Sequence, residues 1–374
     1  MALGLNCRCR GKFLFSRVNN PCRVGYQSSD TYNNHPSLGS QRRNCSSSDD
    51  NKPAKCKVAL VTGGARGIGY HIADQLLANG AQAVIIGDVL VDECEKTCTK
   101  FNEKYGENKA LFQPLDVTKK DQMDKIFKCT KDRFGKIDIV VNNAGILADK
   151  RWEDTIAINI SGVVYGTLLG FQYMTAEKCG PGGFIINVSS ILGLQPLYSS
   201  PVYVGTKHFG IGFSRSMGHE YFYKKSKVKV MAVCPGVTDT NMITEAAQGG
   251  LPGFGDLGKE LASSLGALPA QPAEEVGKGV ITMIKDGENG SVWISEGCEF
   301  YKAVLPDRKS FKPPPSPKED PCKKKEDPCK KEEDLSKKTE DPCKKKEDPF
   351  KEKEDPCKKK DPCNDKEDPS KIYF

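Results

Sequence analysis

Tyr203 and Lys207 stand four residues apart in the run Ser-Pro-Val-Tyr-Val-Gly-Thr-Lys-His. On a helix that spacing puts a phenol and an ammonium on one face, about one turn apart. A free tyrosine titrates near pH ~10, too high for a base at neutral pH. A fixed cation beside it favours the phenolate and brings it toward the working range. The pair is therefore a candidate general base with its tuning cation.

A second chemical feature is Thr62-Gly-Gly-Ala-Arg-Gly-Ile-Gly69. Anionic phosphates need backbone N–H donors at close range with no Cβ in the way. Gly63, Gly67 and Gly69 at the mouth of a helix meet that need, with the helix N-terminus facing the anion. Arg66 and Ile68 would frame a pyrophosphate by backbone contact.

The surrounding pattern supplies the elements such a site requires. Lys57 to Thr62 is an apolar β-type run, and Tyr70 to Asn79 has helical periodicity closed by Gly80. Ala83 to Asp88 is a second strand, ending in an acid. Strand, glycine-rich turn, helix, strand, acid is the dinucleotide-binding βαβ unit. The alternation continues with helices over 92–105, 120–134, 154–175, 203–221 and 273–285, and strands over 110–115, 137–141, 183–188, 228–233 and 291–294. Near-continuous apolar strands between helices imply a parallel sheet covered on both faces. The expected fold is α/β: a Rossmann-type doubly wound parallel sheet of about seven strands in a single domain, residues 56–305.

Asp88 selects the cofactor. A carboxylate at the end of the second strand accepts hydrogen bonds from ribose hydroxyls and repels a 2′-phosphate, which favours NAD. Arg66 argues for NADP, but no second basic residue follows Asp88. Asp116 fits as an acceptor for the adenine amine, with Val117 beside the ring. In Asn142-Asn143-Ala144-Gly145, amide side chains can knit neighbouring strand ends together.

Net charge is +7 at pH 7, and 37% of the residues are hydrophobic. Mean hydropathy is −0.51, low because the two ends are polar. The residues before Asp49 hold seven Arg or Lys and one acid, Asp30. Much of the basic excess lies there, which argues against a nucleic-acid surface on the folded part. The leader, residues 1–50, fits a mitochondrial presequence by composition, with an unaddressed basic segment, and hence a cytoplasmic protein, as the alternative. No run of ~18 apolar residues predicts a membrane span. Of the sixteen cysteines, four precede Asp49, five lie in a C-terminal repeat and the rest are scattered. No Cys/His spacing suits a metal, so reduced thiols are expected in the core, while the tail thiols could cross-link other proteins.

Together, Thr62 to Gly69, Asn142 to Gly145, Ser190, Tyr203, Lys207 and Pro235-Gly236 resemble the short-chain dehydrogenase/reductase family over about residues 57–294. The texture is most similar to NAD-dependent 15-hydroxyprostaglandin dehydrogenases and insect alcohol dehydrogenases. The resemblance implies that Tyr203 takes the alcohol proton, that Lys207 lowers its pKa and holds the nicotinamide ribose, and that Ser190 orients the substrate oxygen. Ser190 rather than Ser189 has the family's spacing of thirteen residues to the tyrosine. Asn159 would anchor a proton-relay water. Pro235, Gly236, Val237 and Thr238 would lie by the nicotinamide, with Thr238 on its carboxamide, and a homodimer or homotetramer is implied by the same likeness. One departure is Ser200, where the prostaglandin enzymes carry a substrate-binding Gln. The glycine-rich stretch 239–267 reads as a mobile lid poor in bulky apolar surface.

From Lys312 the chain turns Pro-rich and then repeats Asp-Pro-Cys-Lys-Lys-Lys from Asp320, Asp341 and Asp355. So little apolar surface cannot offset ordering entropy, and disorder is expected over 312–374. This tail resembles the repeats of the insect sperm-tail protein don juan, which implies sperm mitochondria or a flagellum. Three functions stand open: an NAD-dependent secondary-alcohol dehydrogenase, a structural scaffold with a cross-linking tail, and an NADP-linked carbonyl reductase.

Overall fold

A computed structural model describes residues 51–176, 180–240, 242 and 250–312. The expected leader and repeat tail, and residues 241 and 243–249 of the expected lid, lie outside the described residues.

Val58–Thr62 forms β1 and Ala83–Asp88 forms β2, both buried along their whole length. They are followed by β3 (Ala110–Pro114), β4 (Ile139–Asn142), β5 (Gly183–Val188), β6 (Val228–Pro235), β7 (Val292–Glu296) and β8 (Glu299–Lys302). The sheet order is β3-β2-β1-β4-β5-β6-β7-β8. All neighbours through β7 are parallel, and β8 turns back antiparallel to β7. The chain therefore adds an eighth strand to the seven expected. The sequence hides it because Glu299–Lys302 is short and half polar, and its pairing rests on the Trp293–Phe300 ring stack at 5.2 Å.

The helices are α1 (Gly67–Ala78), α2 (Val91–Tyr105), α3 (Lys120–Phe134), α4 (Trp152–Ile156), α5 (Val163–Met174), α6 (Pro201–Met217), α7 (Glu220–Ser226), α8 (Leu257–Gly266) and α9 (Ala273–Asp286). On one face, α1, α2 and α9 bury Ile72, Leu76, Phe101, Val276 and Met283 against alternate strand residues. On the other, α3 and α5 bury Met123, Ile126, Phe127 and Met174. Each such side chain is worth ~1.5–3 kcal/mol of burial. Gly277 lets α9 close on α1, since a Cβ there would lie 2.7 Å from the His71 carbonyl.

The single helix expected over 154–175 is instead α4 and α5 joined by a π-helical stretch, Ala157–Gly162. The helix expected over 203–221 breaks at Gly218 and resumes as α7, which His219 caps by accepting from the Tyr221 N–H. The expected lid also contains an ordered piece. Leu257, Leu261 and Leu265 share a face of α8, and Asp256 caps it through the Lys259 N–H. Leu261 and Leu265 are buried against Leu147, Ile191, Leu192 and Tyr203.

The stretch Asp149–Met174 contains an 18-residue window with a mean hydropathy of 1.2, by length and composition apolar enough to cross a membrane. Here much of that apolar surface is used in packing, with Leu169 and Met174 buried in the core. Chain contacts divide the molecule after Pro306; the second unit is described only through Lys312 and holds a 3-10 turn, Arg308–Phe311.

Candidate active site

Strand order reverses between β1 and β4, so their carboxyl ends open a crevice, the place where ligands of open α/β sheets bind. A cleft of about 1320 Å³ runs along that edge among the described residues. At one end lie Gly63, Arg66, Gly67, Ile68, Asp88, Asp116 and Val117; at the other, Ser190, Tyr203, Lys207 and Pro235 to Thr238, with Asn143, Ala144 and Gly145 between. Gly69 and Asn159 do not line it, and each has a different task.

The glycine turn is dictated by close approach. Gly63 has φ +65°, and a Cβ there would sit 2.8 Å from the Ala144 Cα. A Cβ on Gly69 would lie 2.2 Å from the Gly63 carbonyl oxygen, so its bare backbone is what lets α1 start against β1. No side chain caps the first turn of α1. Its N–H groups are thus available to an anion, and the groove is the shape and polarity a dinucleotide pyrophosphate needs. The donor set fits at the ribose end too. Asp88 is buried and held by the N–H groups of Ala65 and Leu90, each donating at 3.1 Å. Its remaining lone pairs border the cleft, where ribose hydroxyls could donate. Asp116 accepts from the Thr118 N–H and hydroxyl with one oxygen, which fixes the other for a ligand.

The Asn142–Gly145 turn knits strand ends as the sequence suggested. Asn143 Nδ2 donates to the carbonyls of Thr62 and Gly63, at 3.0 and 2.8 Å, and Thr62 Oγ1 accepts from the N–H groups of Asn143 and Ala144. Asn142 Nδ2 donates to Asn187 Oδ1 at 2.8 Å, and Asn187 Nδ2 to Ser214 Oγ at 2.9 Å. This buried chain runs from β4 through β5 to α6.

At the other end, Ser190 stands near enough to the Tyr203 phenol to favour its ionised form, and its hydroxyl oxygen accepts from the Leu192 N–H at 3.1 Å. Ser189 faces elsewhere, donating to the Lys207 carbonyl at 2.7 Å. Lys207 Nζ lies 5.3 Å from the Tyr203 ring centroid and donates to the Val188 carbonyl at 3.2 Å. Burial pushes Tyr203 up to about 12, with the nearby Ser190 hydroxyl offsetting part of the rise. Burial likewise pushes Lys207 down to about 8. The sequence-level expectation, a phenol lowered by the lysine, is therefore not met by the protein alone. Desolvation is the largest influence on both groups.

Asn159 sits in the π stretch, a feature that often marks functional sites. Its side chain is occupied: Oδ1 accepts from the Ile146 N–H, while Nδ2 donates to the Ile146 carbonyl and to Thr206 Oγ1. It joins the cleft wall to the helix of Tyr203. A relay water would have to use its main chain. The Thr238 hydroxyl donates to the Gly236 carbonyl at 3.0 Å, so it meets a ligand only as an acceptor or through its backbone.

Sequence reasoning missed Asp149. It is 1% exposed and accepts from the Ser200 hydroxyl and from the Val202 and Tyr203 N–H groups. No local pattern announces it, because its partners lie more than fifty residues away. Ser200, the departure noted above, is fully buried and turned to Asp149. Cys94, Cys98 and Cys234 are buried free thiols pushed up to about 12 by burial, so they are not nucleophiles. Cys56 and Cys129, both only partly buried, are each disulfide-bonded, which corrects the expectation of reduced core thiols at these two positions. No cluster of metal-ligating residues occurs among the described residues.

Comparison with known proteins agrees with this geometry. Residues 57–249 match the short chain dehydrogenase family. The chain is 38% identical over 252 residues to the mouse (Mus musculus) 15-hydroxyprostaglandin dehydrogenase [NAD(+)], covering 65% of this chain and 92% of that protein. The human (Homo sapiens) protein of the same name is 36% identical, covering 65% and 93%. Alcohol dehydrogenase 2 of Ceratitis capitata is 32% identical over 250 residues, covering 66% and 94%.

Proposed function

Because the chain belongs to the short-chain dehydrogenase family, we propose that this hydride-transfer oxidoreductase oxidises a secondary alcohol with NAD, using Tyr203 as base. The observation that carries the reading is that Ser190, Tyr203 and Lys207 share one cleft with the glycine cradle and Asp88.

NAD is the cofactor; when bound it accepts the hydride from the carbinol carbon. Gly63, Gly67 and the α1 N-terminus would hold its pyrophosphate, with Asp88 on the adenosine ribose and Lys207 on the nicotinamide ribose. The protein's own work is orientation and proton transfer. Ser190 and Tyr203 line the same cleft, so an alcohol oxygen placed between them could meet both. The alcohol proton passes to the Tyr203 oxygen. Before that transfer Tyr203 is the phenolate, stabilised by the Lys207 ammonium; afterwards it is a phenol, and a water on the main chain of Asn159 would carry its proton to solvent and restore the phenolate. The wall beside these groups is apolar, with Leu147, Ile191, Leu192, Met242 and Leu265, and suits a lipid-like or mid-chain alcohol.

A panel of secondary alcohols at fixed NAD tests this. Apolar mid-chain substrates should give the highest kcat/KM, with NADP far poorer than NAD and Ser190→Ala at least about 100-fold slower. Equal rates with NAD and NADP would overturn the role of Asp88. Undiminished turnover in Ser190→Ala would overturn the alcohol placement.

A further inference from the structure

Helix α6 carries both Tyr203 and Lys207, and its first turn is built unusually. Pro201 is its first residue and has no N–H. The N-cap residue, Ser200, makes no side-chain cap. Its hydroxyl donates instead to Asp149 Oδ1 at 2.9 Å. The two N–H groups that follow, of Val202 and Tyr203, donate to the same carboxylate at 2.8 and 3.0 Å. A single buried carboxylate from another element therefore takes the place of the cap, and its last bond is to the backbone of Tyr203 itself.

Asp149 is also fixed from behind. The stretch it belongs to is clipped to α4 and the π turn by the Thr155 hydroxyl on the Ala148 carbonyl, at 2.9 Å, and by the paired bonds between Asn159 and Ile146. Its neighbours Leu147, Ala148, Lys150 and Arg151 line the cleft. The wall that meets the substrate and the helix that carries the base are thus joined through one side chain.

We propose that Asp149 is a positioning residue: by capping α6 from the cleft wall it sets the height of the Tyr203 phenol against Ser190, without touching substrate or cofactor. Rate in such a site depends steeply on placement, since a displacement of ~1 Å can cost ~100-fold. The carboxylate suits the task because it is acceptor-only and can serve three donors at once. An amide there would face one of those N–H groups with a donor of its own.

This inference rests on Tyr203 being the base, so Tyr203→Phe is measured alongside. Asp149→Asn should lower kcat about 10–100-fold and the melting midpoint by only a few degrees, while NAD affinity by NADH fluorescence stays near wild type and KM for the alcohol moves less than about threefold. Asp149→Ala combined with Ser200→Asp places a carboxylate at the N-cap of α6 itself but detaches the helix from the cleft wall; it should restore the melting midpoint while kcat stays low, and full recovery of kcat would show a capping role alone and overturn the proposal. If Asp149→Asn does not fold, Ser200→Ala serves: it removes one of the three ties and should lower kcat about 3–5-fold with the midpoint unchanged. An unchanged kcat per NAD-binding site in Asp149→Asn or Ser200→Ala overturns the proposal, as does a loss confined to stability or NAD binding. Turnover surviving in Tyr203→Phe would sink the base assignment instead, and the two failures are distinguishable.

Discussion

At the scale of single residues, the Tyr203–Lys207 pair is read from spacing alone, but its electrostatics are not. Both side chains are buried, and each is driven toward its neutral form. Lys207 is held at about 8 in the fold against 10.5 in an unfolded chain. Between those values the unfolded chain holds more protons, so stability climbs with pH; below about 8 that gain is absent, and above 10.5 it is complete. Lys207→Met should therefore be inactive yet more stable at pH 7, on the order of 2 kcal/mol, with a flatter dependence of melting midpoint on pH through that window. A variant less stable than wild type at pH 7 would show that the bond to Val188 outweighs desolvation. Ser190 came only through the family resemblance, whose serine-to-tyrosine spacing it matches, and it lies in the same cleft as Tyr203. Asp149 was not legible: a cap supplied from another element leaves no mark in the sequence around either partner.

At the scale of elements, the βαβ unit was readable because its strands are apolar throughout and its turn is glycine-rich. The close contacts explain why those glycines are there. Gly69→Ala would press a Cβ into the Gly63 carbonyl, 2.2 Å away. It should cost about 1–3 kcal/mol in chemical denaturation and weaken NAD binding at least about tenfold, because α1 can no longer start in place. Unaltered NAD affinity would contradict the account of the cradle. The departures from expectation share a cause. The π stretch, the break at Gly218, α8 and β8 are decided by tertiary partners rather than local period. Asn159 reaches Ile146 and Thr206; Leu261 and Leu265 find Tyr203 and Leu192; Phe300 finds Trp293. Glycine on both sides of residues 257–266 masks a helix whose leucines recur every four residues.

At the scale of the whole molecule, the short chain dehydrogenase match ends within the unit that closes at Pro306, and the cleft lies in that unit. Removing residues 313–374 should therefore leave kcat and KM within about twofold of the full chain. A dead truncation would give the repeat a part in catalysis. The basic leader we propose to be a mitochondrial address, tested by whether residues 1–50 carry a fluorescent protein to mitochondria; retention in the cytoplasm would refute it. Trp152, Ile156 and Leu168 stand exposed on the long helix, and we propose that this helix meets a second copy. Leu168→Glu should then shift the sedimenting species toward monomer. Composition sets residues 56–305 apart as the apolar part of the chain; which alcohol the cleft takes depends on wall residues drawn from several distant segments.

The central claim is that Tyr203 removes the alcohol proton while NAD takes the hydride. The most direct test is NADH formation by wild type and Tyr203→Phe at saturating NAD with the best secondary alcohol, alongside NAD binding to each. The account predicts steady NADH production by wild type, a loss of at least about 1,000-fold in Tyr203→Phe, and equal NAD affinity in the two. Comparable NADH production by the phenylalanine variant would contradict it.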